Sequence, residues 1–182
     1  MNKMFSVRNV TLATVVLCMA AACSSTRTQK SAGETVDDAV IATKVKAELI
    51  DNEMTKARDI DVEVFKGRVQ LNGFVDSSAE STEAARVARN VNGVAGVDNN
   101  LKLKGPGRDA GDVADDGAIS AAIKAALASD ERTKAHQIDI NTRNGVVLLA
   151  GFVDTAAARG AAFNIATGVK GVVKVDNQIA VK

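Results

Sequence analysis

The chain has 182 residues, enough for one domain or two small ones, and its 46% hydrophobic content is enough to build a core. Charged residues make up 25% and the formal net charge is +1. This composition is typical of a globular protein and excludes a largely disordered one. The near-neutral charge also argues against a nucleic-acid-binding protein, which usually carries a basic face.

Residues 1–22 have the pattern of a signal peptide. Lys3 and Arg8 precede the apolar run VTLATVVLCMAAA, which is too short for a comfortable membrane span. The run ends in AAAC, which resembles the bacterial lipobox and predicts an acylated Cys23 as the membrane anchor. Ala20 stands where a lipobox usually has Leu, so a plain secretory signal cleaved near Ala22 is the alternative. Either cleavage leaves one cysteine, and no internal disulfide is possible.

The remainder is a tandem repeat. The small, polar residues 23–36 predict a flexible tether. Residues 37–104 align without gaps to residues 115–182, and 29 of the 68 aligned positions are identical. The segment 105–114 between them contains GPG and the sole proline, so we interpret it as a linker between two copies of one domain.

The sequence pattern of each copy predicts the order helix, strand, strand, helix, strand. In the first helix Ile41, Val45 and Leu49 recur at helical spacing, and IDVEV and RVQL then alternate as strands do. KG and NG between the two strands predict tight hairpins. The spacing of Ser77 and Glu80 predicts a capping box on the second helix.

Six glycines recur at equivalent positions and are predicted to be structural. Gly67 and Gly145 are predicted to supply the positive φ of the hairpins. Gly73 and Gly151 suggest a bulge or a close approach of the backbone. Gly93 and Gly171 are predicted to end the second helices.

The block G-x-V-x-L-x-G-F-V-D at 67–76 and 145–154, with G-V and V-D-N after it, resembles the BON domain. The resemblance implies an α+β fold in which two helices pack on one face of a three-stranded mixed sheet. It also implies binding of phospholipid or envelope surfaces, and it brings no catalytic residues.

The residues themselves predict a protein that is not an enzyme. The only histidine, His136, is predicted in a solvated loop. After removal of the signal peptide the chain has no cluster of cysteines and histidines, so we expect neither a metal nor another cofactor. The recurring aspartates are interpreted as residues of solvated faces or helix caps; they are Asp61, Asp139, Asp76 and Asp154.

Two surfaces of the second copy are candidates for function. The first, called here the apolar sheet face, comprises Val146, Leu148, Ala150 and Phe152. Such a patch is unusual when exposed, so the other copy, a partner protein or a second chain should cover it.

The second surface lies on the first helix of the second copy, which is the third helix of the chain (α3) and includes residues 118–128, and on the loop after it. We call it the α3 face, and it combines small apolar residues with positive charge. It comprises Ala121, Lys124, Ala125, Ala128, Arg132 and Lys134. It predicts contact with anionic phospholipid, and an ordinary surface helix is the alternative.

Together these features predict a non-catalytic lipoprotein, anchored by Cys23 in the inner leaflet of the outer membrane, that supports envelope integrity or osmotic-stress tolerance. A soluble periplasmic form is the alternative location. The alternative function is a periplasmic chaperone or adaptor that binds envelope proteins through the apolar sheet face.

Overall fold

The computed structural model describes residues 32–55, 59–105, 107 and 110–182. The predicted signal peptide, Cys23 and most of the tether lie outside these residues. The first repeat comprises α1 (Ala32–Asp51), β1 (Ile60–Phe65), β2 (Arg68–Val75), α2 (Ser78–Arg89), β3 (Gly96–Asn99) and β4 (Lys102–Leu103). The second comprises α3 (Ala110–Ser129), a 3-10 turn (Ala135–Gln137), β5 (Ile138–Arg143), β6 (Val146–Val153), α4 (Ala156–Thr167), β7 (Lys174–Asn177) and β8 (Ala180–Val181).

The sheets are mixed, as the resemblance to the BON domain implies. β2 pairs antiparallel with β1 and parallel with β3 and β4, and β6 repeats this arrangement with β5, β7 and β8. The predicted single last strand is wrong in detail, because it is broken in two. Both parts keep one register against β2, but at the break Leu101 N–H turns to the side chain of Asn99.

Each repeat has its own core between its helices and its sheet. Val45, Leu49, Val69 and Leu71 are fully buried in the first repeat, and Ile123, Leu127, Val147 and Leu149 in the second. The apolar stripe of the first helix therefore faces inward in both repeats, as its spacing predicts. The α+β prediction is confirmed.

Both hairpins form the predicted two-residue turns. Lys66 and Gly67 have φ of 51° and 74°, and Asn144 and Gly145 have 51° and 71°, the signs that a type I′ turn requires. A buried aspartate on the first helix stabilises each turn. The Asp116 carboxylate accepts hydrogen bonds from the N–H groups of Asn144 and Gly145, both at 2.9 Å, and Asp38 does the same in the first repeat.

Helix boundaries differ from the prediction at four places. α1 begins at Ala32, within the predicted tether, and α3 begins at Ala110, within the predicted linker. The extension of α3 begins after the proline at position 106, and both extensions include alanine, the best helix former. α2 ends at Arg89 and α4 at Thr167, so Gly93 and Gly171 do not end these helices but lie in the turns after them, with φ of 98° and 93°.

The capping prediction is confirmed with one change of partner. Ser77 Oγ accepts a hydrogen bond from the Glu80 N–H at 3.1 Å. The Glu80 carboxylate accepts from Asp76 N–H at 2.8 Å, one residue before the cap. In the second repeat Thr155 caps α4, while Asp154 binds Lys134 and Lys182.

Inter-repeat interface and candidate lipid-binding surface

The two sheets pack against each other, with the helices outside, so that the repeats form a four-layer arrangement. β2 of the first repeat contacts β6 of the second. Phe65 and Phe152 stack across this contact with their ring centroids 5.4 Å apart. The ammonium of Lys102 and the carboxylate of Asp176 form an ion pair of 2.9 Å across it.

The first repeat covers three of the four residues of the apolar sheet face, and the fourth, Val146, is half-buried. Leu148 and Ala150 are fully buried and Phe152 is 8% exposed, although none of the three belongs to the core of its own repeat. The sequence left three candidates for covering this face: the other copy, a partner protein or a second chain. In the structure the other copy covers it. An external protein can reach this face only if the repeats separate.

Polar side chains of the first repeat face this apolar surface. Gln70, 2% exposed, accepts a hydrogen bond from the Gly151 N–H at 3.0 Å through Oε1. Asn72 is fully buried, accepts from Asn100 at 3.1 Å, and has no hydrogen-bond partner for its Nδ2 within the described part of the chain. A buried unpaired amide is unfavourable, so the interface is less stable than an apolar one of the same size.

Carboxyl groups meet at the edge where β1 lies near β5. Asn141 Nδ2 donates a hydrogen bond to Asp61 Oδ2 at 3.1 Å. Asp61 and Asp139 are half-buried, so the prediction that they lie on solvated faces is wrong. Burial raises the pKa of Asp139, Glu63 lowers it, the charge of Asp61 raises it further, and the charges of Lys124 and Lys46 lower it.

The α3 face lies on the outer helical layer, and its Lys124 is also close to Asp139 of β5. Ala121, Lys124, Ala125 and Ala128 are all exposed on α3. Beyond Asp116, Lys124 is the only charged residue of this helix. The helix therefore presents a small-residue surface with one cation.

The other two basic residues of the α3 face are exposed but paired. Arg132 forms an ion pair with Asp130 at 2.6 Å, and Lys134 with Asp154 at 2.8 Å. Arg132 lowers the pKa of Asp130 to about 2. Lys134 and Lys182 hold the pKa of Asp154 below its ordinary value. The net charge of this region is therefore smaller than the sequence alone indicates.

The structure also identifies surface residues that the sequence analysis missed. Phe163 on α4 is 40% exposed, and Val40, Ile50 and Met54 are exposed on or just after α1. In a sequence pattern such residues are indistinguishable from core residues, and only burial separates them. His136 lies in the exposed 3-10 turn.

Within the described ranges, no group of His, Cys, Asp and Glu is arranged to hold a metal ion. Within the same ranges, no helix combines the length and the hydropathy that a membrane crossing requires.

Comparisons with known proteins identify the family. Residues 37–105 and 115–182 each match the BON domain, so the chain is a member of the BON-domain family with two tandem copies. It is 39% identical over 155 residues to the osmotically-inducible protein Y of Escherichia coli strain K12, covering 82% of this chain and 75% of that protein.

Two further relatives match across both copies. A 21 kDa hemolysin of Actinobacillus pleuropneumoniae is 33% identical over 147 residues. The outer membrane lipoprotein DolP of Haemophilus influenzae is 30% identical over 147 residues. Each match covers 80% of this chain and 75% of the relative.

Proposed function

We propose that this protein is a non-catalytic envelope lipoprotein whose second repeat contacts anionic phospholipid headgroups through the α3 face. The observation that carries the proposal is the composition of this face: exposed alanines surround Lys124, and no carboxylate follows Asp116 on the helix. Small side chains let the helix lie close to a surface, and the cation is attracted to anionic lipid.

The equivalent surface of the first repeat is less suited to anionic lipid. Beyond Asp38, α1 has Lys44 and Lys46 but also Glu48 and Asp51. Ala126 and Ser129 replace these two acids in α3. The exposed Val40, Ile50 and Met54 make α1 the rival contact, one governed by apolar burial instead of charge.

The cellular role in this proposal comes from the relatives. One is named as osmotically inducible and another as an outer membrane lipoprotein. We infer a role in envelope integrity or osmotic-stress tolerance, with acylated Cys23 holding the chain to the inner leaflet of the outer membrane; the alternative is a soluble periplasmic protein. Cys23 lies outside the described residues.

A chaperone or adaptor using the apolar sheet face is the second candidate. The burial of Leu148, Ala150 and Phe152 against the first repeat counts against it while the repeats are packed together. It requires an open arrangement, which the unpaired Asn72 amide favours.

Co-sedimentation of the soluble chain, lacking residues 1–23, with vesicles tests the proposal. We expect binding to vesicles that contain phosphatidylglycerol, weak binding to pure phosphatidylcholine, and loss of binding as salt is raised. Absence of binding to either vesicle, together with binding to unfolded envelope proteins, would favour the chaperone.

A further inference from the structure

Two polar contacts between the repeats run in one direction. From the first repeat, Gln70 accepts a hydrogen bond from the Gly151 N–H at 3.0 Å, and the Lys102 ammonium pairs with the Asp176 carboxylate at 2.9 Å. The second repeat supplies the backbone donor and the carboxylate. The two repeats therefore contribute different halves to these contacts.

The duplicated sequence does not provide the reverse contacts. In the aligned repeats Leu148 stands at the position of Gln70, and Ala180 stands at that of Lys102. Neither of these apolar side chains can accept a hydrogen bond or carry a positive charge. Two second repeats packed face to face would therefore lack both contacts.

Two first repeats lack the apolar sheet face instead. Gln70 and Asn72 stand where the second repeat has Leu148 and Ala150. Burying these amides against each other gains little from the hydrophobic effect, which is proportional to the apolar area removed from water. The surface chemistry therefore favours the pairing of a first repeat with a second one, whether the two belong to one chain or to two chains.

Separation of the repeats leaves both cores intact, because each core lies between the helices and the sheet of a single repeat. Separation does, however, uncover Leu148, Ala150 and Phe152, which are buried in the packed arrangement. An apolar surface of this kind needs a cover. The first repeat of a second chain offers the same Gln70 and Lys102 as the first repeat of its own chain.

We propose that the inter-repeat interface also joins two copies of this chain, with the first repeat of each chain covering the apolar sheet face of the other. The inference is independent of the lipid-binding proposal. Because every chain has one surface of each kind, two chains close on each other with both surfaces covered.

The connection between the repeats and the chain concentration set the balance between the two forms. Residues 104–109, KGPGRD, join the end of β4 to the start of α3, and a short connection invites exchange between chains. The exchanged dimer has the same interface contacts as two closed chains. The effective concentration across a short connection is about millimolar, so the parent is a closed monomer at micromolar concentration.

Charge reversal of the Lys102–Asp176 pair tests the proposal. Lys102→Asp and Asp176→Lys each place like charges in the closed chain and in any exchanged dimer of that variant with itself. An exchanged dimer with one chain of each variant has opposite charges at both interfaces. In an equal mixture at about 100 µM, we expect native mass spectrometry to show the mixed dimer at least about tenfold above either self-dimer.

Two controls separate exchange from general attraction between oppositely charged proteins. The double variant Lys102→Asp/Asp176→Lys restores opposite charges within one chain and should stay a monomer, as the parent does. Lys44→Asp and Asp115→Lys make the same charge changes at exposed positions of the outer helices, and their mixture should give no dimer. Lys102→Glu with Asp176→Arg is a second test pair, for use if a variant of the first pair does not fold.

The proposal is overturned if folded variants of the test pair remain monomeric when mixed. It is equally overturned if the outer-helix mixture dimerises to the same extent, because the attraction would then not involve the interface. Self-dimers as abundant as the mixed dimer would also overturn it, since they would indicate pairing of like surfaces.

Discussion

The side-chain oxygen of Gln70 accepts a hydrogen bond from the backbone N–H of Gly151, 3.0 Å away, and this bond joins the central strands of the two repeats. Because Gln70 is buried, Gln70→Ala leaves the Gly151 N–H without its acceptor. We expect a loss of about 1–3 kcal/mol in the free energy of unfolding, measured by urea denaturation.

Arg68→Ala on the same strand is the control for this prediction. Arg68 is exposed and pairs with Asp98 on its own repeat, so its loss should lower the free energy of unfolding much less than Gln70→Ala does. Equal effects of the two variants would mean that the inter-repeat bond does not stabilise the packed arrangement.

Gly73→Val and Gly151→Val should each lower the free energy of unfolding by about 1–3 kcal/mol. Both glycines have φ near +120°, and an added Cβ would overlap the carbonyl oxygen of Asp59 or of Gln137. Thermal unfolding measures the change. Gly160→Ala, in an exposed turn of α4 with open space around it, should instead stabilise by about 0.5–1 kcal/mol. Intact stability of both valine variants would contradict this account of the strand.

Asp116→Ala should destabilise the second repeat by about 1–3 kcal/mol, because two backbone N–H groups of the hairpin lose their buried acceptor. The exposed neighbour Asp115 is the matched control, and Asp115→Ala should change stability by less than about 0.5 kcal/mol. Denaturant midpoints that shift alike in the two variants would show that the turn does not need the aspartate.

Cys23→Ser should release the protein from membranes into the soluble periplasmic fraction. Each buried CH₂ of an acyl chain contributes about 0.8 kcal/mol, and stable attachment needs two signals, so losing the acylated cysteine removes the anchor. Cell fractionation measures the change. A serine variant that remains with membranes as fully as the parent would contradict acylation as the main anchor.

The sequence predicts what depends on local pattern, and it misses what depends on contacts between the repeats. The glycines of the two hairpins require particular backbone angles, and the stripe Ile119, Ile123, Leu127 requires a helix packed on one side. Gln70, by contrast, reads as a solvent-facing residue on an alternating strand. Only the packing of one sheet on the other makes it a buried acceptor, and no pattern within one repeat encodes that packing.

The candidate surfaces show the same limit. The exposure of Ala121 and Lys124 follows from helical periodicity and was predictable. The pairing of Lys134 with Asp154 was not, because the two residues are 20 positions apart and belong to different elements. A test of charge at the α3 face must therefore avoid Lys134, since replacing it also breaks an ion pair.

The most direct test of lipid contact through the second repeat compares Lys124→Glu with Lys46→Glu in vesicle co-sedimentation. The two lysines are equivalent residues of the two repeats and both are exposed, so the variants match in net charge. A cation at an anionic surface contributes about 1 kcal/mol, and reversing it costs about twice that, or roughly thirtyfold in affinity. We predict that loss for Lys124→Glu on phosphatidylglycerol vesicles and little change for Lys46→Glu. Equal losses, or a larger one from Lys46→Glu, would contradict the assignment to α3.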